Sequence, residues 1–463
     1  MDQGKRSYIL LFLLSFVLRF AYFLMIAPWE QKVQNEWILR SDALEYHSLA
    51  NCIVQDHRFA IHTEEKVTGL RSPGYPLFLA SFYSIFGSKP WIPIFVQLII
   101  DSLSCLLLLN LAERISTPRI GLVAAVFFAI DPFLVFHSAA LLSETIFIFL
   151  LLVAASLAFK AISGRPHPPS QILIVFAGIA FGLSTITKPV SIYMLCLLPF
   201  ALLFLLRRNS VWVLKLLCLF TAGALMCIFP WLARNFIAFD TAGFSTSGDH
   251  NLLTLWVSPM EAARTGEDID EVRKRFKNEV DSVITSRGLD PSKLNDFERE
   301  RYARTLAVER IEERPIAFAG SFFAGVSHSF ANLNTSGFAE SLHMHFSGKK
   351  IDIKRGTGII DLLQMFLLKT KDERIIAIAI SIFLLLEYTF LSVGLFVAWE
   401  NLNRVPLLIS LGIACYFILI SGPFGLARFR LPAIPFYLVF VGVGAEYLCL
   451  RLIRATNLPG QSK

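Results

Sequence analysis

Long apolar runs, broken by short polar interruptions, dominate the chain. They cover approximately 7–27, 91–111, 119–137, 143–160, 171–187, 190–206, 211–232, 375–398, 405–421 and 431–452. Each comes near the ~20 residues that cross a bilayer core as a helix. The pattern predicts an all-α polytopic membrane protein, a bundle of about 10 transmembrane helices within a range of roughly 10–12. Two stretches are less regular. "PLFLASFYSIFG" (76–87) is too short to cross and amphipathic enough to lie on the outer surface. "IAFAGSFFAGVSHSFANL" (316–333) is about long enough, but a crossing there needs a return before 375. "IIDLLQMFLL" (359–368) is too short for an easy one, so surface or re-entrant placement is expected for both. The first run follows Lys5 and Arg6 in the manner of a signal peptide. Pro28, Trp29 and Glu30 follow it instead of a small-residue cleavage site, so it reads as an uncleaved first span.

Composition agrees with this pattern: 55% of residues are hydrophobic and 17% charged, where soluble domains average about 25% charged. The net charge of +7 does not point to nucleic acid, because the basic residues gather at span ends, where they set orientation. Lys5/Arg6, Arg114/Arg119, Lys160/Arg165, Arg207/Arg208 and Arg451/Arg454 fall on one side if the runs alternate. That side, with both termini, is expected to be cytoplasmic. The whole of 1–463 then forms one membrane domain. Residues 28–90 and 233–374 are its outside segments, and 375–463 carries the last spans. Within 233–374, "DEVRKRFKNEVDSVITSRGL" and "FERERYARTLAVERIEERP" spread charge around the helix, as a solvated juxtamembrane helix pair does. Most of the seven cysteines lie in apolar runs and no CxxC pair occurs, which argues against disulfides and a zinc site.

With orientation assigned, the polar residues most in need of explanation share the outer end. Asp42 and Glu45 in "RSDALEYHSLA" share one helical face. Arg71 stands in "GLRSPGYPLF", where Pro-Gly-Tyr-Pro gives a stiff turn behind it. Asp131 and His137 end the third run and Glu144 opens the fourth. Lys188 lies in "STITKPVS", Arg234 in "FPWLARNF" and His250 in "STSGDHNLLTLW". Arg428 and Arg430 in "FGLARFRLPAIPF" alternate with Phe429 and Leu431, which predicts an extended segment aiming both guanidiniums one way. Each residue also has a structural reading. Arginines at span ends snorkel, Glu144 with Ser143 can cap a helix, Asp131 before proline forms turns, and Tyr46 and Tyr75 either stack on a sugar or anchor the membrane boundary. As a set they suit a lipid phosphate: arginines grip phosphate through bidentate, charge-assisted bonds, and a carboxylate can take an acceptor proton. A divalent metal is compatible with this set and not implied by it.

The order of "SDALEYHSLA", "RSPGYPLFLASFYSIFG", "HSAALLSETIFIFLLL", "TKPVSIYMLCLLPF", "PWLARNF" and "ARFRLPAIPF" resembles the bacterial glycosyltransferase family 39 group of GT-C enzymes. Protein O-mannosyltransferases and the aminoarabinose transferase of lipid A are relatives of that group. The resemblance implies a GT-C helical bundle with periplasmic juxtamembrane helices in the bacterial cytoplasmic (inner) membrane. It implies a polyprenyl-phosphate sugar donor, an inverting transfer on the periplasmic face and no nucleic-acid partner. The acceptor stays open among a glycolipid, a polysaccharide and a protein. Carried over, Asp42 is the base, with Glu45 beside it, and Glu144 is a second acid near the cavity. Arg71, Arg428 and Arg430 are expected near the donor phosphate; the residues by themselves add Lys188 or Arg234 there, and Tyr75 and His250 as candidate substrate contacts. Two departures stand out: Ala43 follows Asp42 where several relatives have Glu, and Ser72 replaces a common proline. The rival from another class is a transporter or flippase of a lipid-linked anion. It calls for midplane charges and broken helices in repeated halves, whereas this chain has no clear repeat and gathers its charges at one face.

Overall fold

The computed structural model describes residues 3–61, 67–163, 170–197, 210–344, 369–400 and 405–456, and among them every regular element is helical. Among the described residues, six helices are long and apolar enough to cross a membrane: Arg6–Ile26, Trp91–Ile115, Glu144–Ile162, Val211–Phe239, Lys371–Glu400 and Ala427–Ile453. The pair Pro118–Ile130 and Pro132–Ser138, bent by 55°, is a seventh candidate, and Gly74–Phe86, Gln171–Thr187 and Val405–Ile420 are shorter apolar helices. The chain is thus a helical, multi-pass membrane protein, and its helices fall on the predicted runs. The part of 190–206 beyond residue 197, and all of 359–368, lie outside the described residues.

Lipid supplies no hydrophobic drive between helices, so close packing of small residues brings them together. Where Lys371–Glu400 crosses Ile434–Thr456, a Cβ on Gly394 or Gly444 would run into the carbonyls of Phe440 and Phe390. Bare glycine lets the two backbones touch.

The bend has a local cause. Pro132 lacks an N–H and restrains Asp131, so the first helix stops at Ile130. Asp131 then caps the next helix, accepting from the N–H groups of Phe133 (2.8 Å) and Leu134 (2.9 Å). The carbonyls of Phe128 and Ala129, just before the break, accept from Arg19. Arg19 is itself fully buried and pairs with Asp101 at 2.5 Å. Arg19, Asp101 and the buried Glu387 correct the expectation that the informative charges stand only at span ends: these three lie inside spans.

Beyond the spans, Ile269–Ser286 and Asp296–Glu313 are the expected polar helices, but they are not merely solvated. Val272, Phe276, Val280 and Ile284 recur at four-residue spacing, which stacks them on one face. They close on Leu253, Val257, Met260, Ala303, Leu306 and Ala307 in a small core of their own. The stretch 316–333 forms most of the Pro315–Ala331 helix, and 76–87 most of Gly74–Phe86. The latter packs on the Asp42–Asp56 helix.

Candidate active site

Ser41 takes a left-handed φ of 49°, an uncommon conformation for a non-glycine residue, and turns the chain sharply into the Asp42–Asp56 helix. Asp42 is the first residue of that helix, where the macrodipole favours an anion. Glu45 follows one turn later. Both reach the same arginine: Arg71 donates through Nη2 to Asp42 Oδ1 at 2.7 Å and through Nε to Glu45 Oε2 at 2.6 Å. The other oxygen of Asp42, Oδ2, accepts from Arg428 Nη2 at 2.7 Å. One carboxylate is therefore clasped by guanidiniums that lie hundreds of residues apart in sequence. Burial alone would raise the Asp42 pKa, but the charges of Arg428 and Arg71 outweigh it and hold the carboxyl well below the usual range.

A second pair adjoins the first. Glu144 Oε1 accepts from Lys188 Nζ at 2.7 Å, and Glu144 lies within electrostatic reach of Arg428. Tyr46 lies against the first pair and within electrostatic reach of Glu144: the Arg71 guanidinium rests 5.5 Å above its ring centroid. Gly74 makes this approach possible, because a Cβ there would strike Thr187, the neighbour of Lys188. Three carboxylates and three cations thus meet at one end of the bundle, partly open to solvent. The side chains of Asp42, Arg71 and Arg428 are 20%, 19% and 25% exposed. Arg428 Nε is buried without a hydrogen bond.

The remaining candidates part from this cluster. The segment Ala427–Ala433 is a 3-10 turn, not the predicted extended strand, so its two arginines diverge. Arg428 goes to Asp42, while Arg430 is fully buried and donates to the carbonyls of Ser329 and Phe330 and to the Tyr388 hydroxyl. Its guanidinium lies 4.0 Å from the Phe133 ring centroid. Tyr75 is likewise fully buried, its hydroxyl given to Gln97 at 2.6 Å, and has no face free for a sugar. Arg234 sits among the rings of Phe59, Trp231 and Phe239 and donates to the Thr68 carbonyl. His250 pairs with Glu300 on the extramembrane helices, and His137 is buried against the Phe133 carbonyl. Among the described residues no three His, Cys, Asp or Glu side chains are grouped to hold a metal ion. Sequence reasoning weighed Ser143 only as a helix cap beside Glu144, and Tyr46 only as a sugar platform or anchor. It named Arg234 as a substrate contact and did not foresee that Arg234, 245–247 and 296–297 hold the Arg71 loop; the signal for the last was the Asn295–Glu298 capping pattern.

The fold and cluster define a class: a polytopic helical membrane protein with an arginine–carboxylate centre at one end of its bundle. The family model of the dolichyl-phosphate-mannose-protein mannosyltransferases matches residues 70–233, which hold Arg71, Glu144 and Lys188. Among solved structures the chain is similar to the Archaeoglobus fulgidus oligosaccharyltransferase. For its apo form the identity is 15% and the TM-score 0.52, over 98% of this chain and 52% of that one. For the form tethered with an acceptor peptide containing the NVT sequon, the identity is 14% and the TM-score 0.50, over 96% and 51%. It is also similar to ArnT from Cupriavidus metallidurans bound to undecaprenyl phosphate, at 13% identity and TM-score 0.44, over 100% and 82%. The chain spans about half the length of the archaeal structures it matches. No curated protein matches it. The family likeness is confined to one stretch of the sequence, and the archaeal structures share the chain's helical fold.

Proposed function

We propose that the chain is an inverting glycosyltransferase of the bacterial cytoplasmic membrane. It moves a sugar from a polyprenyl-phosphate donor to a cell-envelope acceptor at the outer face. The observation that carries this reading is the double clasp of Asp42 by Arg71 and Arg428. Two guanidiniums converging on one small anion also suit a phosphate monoanion.

The clasp suggests an order of events. At rest Asp42 occupies the arginines, and its depressed pKa makes it a weak base. A donor phosphate competes for the same N–H groups. Once it takes them, Asp42 loses its stabilising charges and regains basicity beside the acceptor. The acceptor oxygen then attacks the anomeric carbon and its proton passes to Asp42. The bond from that carbon to the phosphate oxygen breaks, and its electron pair leaves on the phosphate, which Arg71 and Arg428 stabilise. Glu144, held by Lys188, adds a negative charge within reach of Arg428.

The test is sugar transfer from a polyprenyl-phosphate donor by purified protein. Asp42→Asn should reduce turnover roughly 10²-fold or more, with donor affinity kept or tightened because the internal competitor has lost its charge. Unchanged turnover would remove Asp42 from the base role.

A further inference from the structure

Arg71 belongs to no helix; it hangs from the loop 67–72 just ahead of Gly74–Phe86. A loop carrying a ligand group must be held, and the holding here is complete. Thr68 N–H donates to the Phe59 carbonyl and the Thr68 carbonyl accepts from Arg234 Nη1 at 3.0 Å. Gly69 N–H donates to Asp296 Oδ2 at 2.9 Å, and the Gly69 carbonyl accepts from Thr246 N–H at 3.0 Å. Leu70 N–H donates to Thr68 Oγ1, and the Leu70 carbonyl accepts from the hydroxyls of Ser245 and Ser247. Every backbone polar group of the three residues before Arg71 is engaged, mostly by distant segments.

The outermost of those segments is the start of the Asp296–Glu313 helix. Asn295 and Glu298 form a capping box that fixes this helix end. Asp296 binds the loop through Gly69 N–H and the Thr68 hydroxyl. Next to it, Phe297 inserts its ring between two glycines. One ring edge faces Gly69, the other faces Gly243, and a Cβ on either would collide with the ring. Phe239 closes the third side, with ring centroids 5.2 Å apart. Asn235 and Trp231 tie down the 243–244 carbonyls behind the ring. None of these groups touches Asp42, Glu144 or Arg428.

We infer that Asp296 and Phe297 are positioning residues for Arg71: the extramembrane helix pair sets the phosphate-binding arginine by plugging into the loop that carries it. This rests on the reading of Arg71 as a donor ligand. It also gives that helix pair a part in the reaction.

The experiment uses the full chain in detergent, with Phe297→Ala, Gly243→Ala and Phe297→Tyr each made alone and with Arg71→Gln. Amide exchange at Gly69 and Leu70, and affinity for a polyprenyl phosphate, are measured alongside thermal unfolding. Phe297→Ala and Gly243→Ala should speed exchange at those amides while the spans stay protected. Both should weaken binding about tenfold when Arg71 is present and leave it unaltered when Arg71 is Gln, the coupling expected within one network. Phe297→Tyr, which keeps the ring, should stay near wild type. Additive losses in the Arg71→Gln background, or unaltered exchange at Gly69 and Leu70, overturn the inference. A wild-type chain that binds no polyprenyl phosphate sinks the transferase reading instead, and the exchange result then decides the plug by itself.

Discussion

Two arginine–carboxylate pairs in this molecule have nearly the same geometry and opposite characters. Arg19 and Asp101 meet at 2.5 Å inside the bundle, Arg71 and Arg428 meet Asp42 at 2.7 Å at its end. Around Arg19, donors that do not face Asp101 find the carbonyls of Ser15, Phe128 and Ala129, and no solvent reaches the pair. Around Asp42 the partners are charged, about a fifth exposed, and one buried Arg428 nitrogen has no partner. A saturated pair can only hold the fold. A pair that is exposed and incompletely bonded can exchange its anion for another.

The largest expected effect belongs to the saturated pair. Arg19→Leu leaves Asp101 buried without a counter-charge and frees two carbonyls at the bend, a loss of about 3–5 kcal/mol. Folded protein measured by size-exclusion chromatography should fall steeply. Arg19→Leu combined with Asp101→Leu should recover much of it, since an apolar pair of similar volume replaces the ions. If the single variant folds normally and only transfer is lost, Arg19 belongs with Asp42 and the contrast collapses.

Arg428→Gln should behave the other way. The fold survives, because the turn is still held by Arg430 on the Ser329 and Phe330 carbonyls. Transfer should fall roughly 10²–10³-fold, the range for removing one donor that stabilises departing charge. Loss of folded protein in place of turnover would make Arg428 a second Arg19.

The pH profile sharpens the same contrast. Asp42 is held below its ordinary value of 3.8, so its clasp contributes stability above that pH and loses it only as pH falls through the depressed value. In the free enzyme the acid limb of kcat/KM therefore lies below the usual carboxylate range. With donor bound and the arginines turned to phosphate, the limb of kcat should move upward. Coincident limbs would mean that the arginines never leave Asp42.

The contrast also marks what was legible in the sequence. Apolar runs located the spans because length and hydropathy alone decide membrane crossing. Asp42, Arg71 and Arg428 were legible as a set because all three fall at one end once orientation is assigned. Arg430 was not separable from Arg428, since alternation predicts sidedness only for an extended backbone and the segment is a 3-10 turn. Arg19 and Asp101 did carry a signal, each being an ionisable residue inside an apolar run. Their pairing depends on how two spans rotate against each other, which no single run encodes. Of the Asp296–Phe297 plug only the helix start was legible, in the Asn295–Glu298 capping pattern; its docking joins segments 228 residues apart through the absence of two side chains.

The smallest effect distinguishes the two acids of the first loop. Glu45 touches the centre only through Arg71 Nε, at 2.6 Å, and its side chain is 32% exposed. Glu45→Gln keeps an oxygen that can accept from Nε, so the geometry of Arg71 survives and only a partly screened charge is lost. Such pairs are worth about 0.2–1 kcal/mol, which corresponds to a change in donor affinity of no more than about fivefold. Turnover at saturating donor should be unaltered, because Asp42 still takes the acceptor proton once the phosphate holds the arginines. A collapse of turnover as deep as that of Asp42→Asn would instead give Glu45 the proton. Asp42 would then resemble Asp101, a carboxylate whose task is to hold arginines in place.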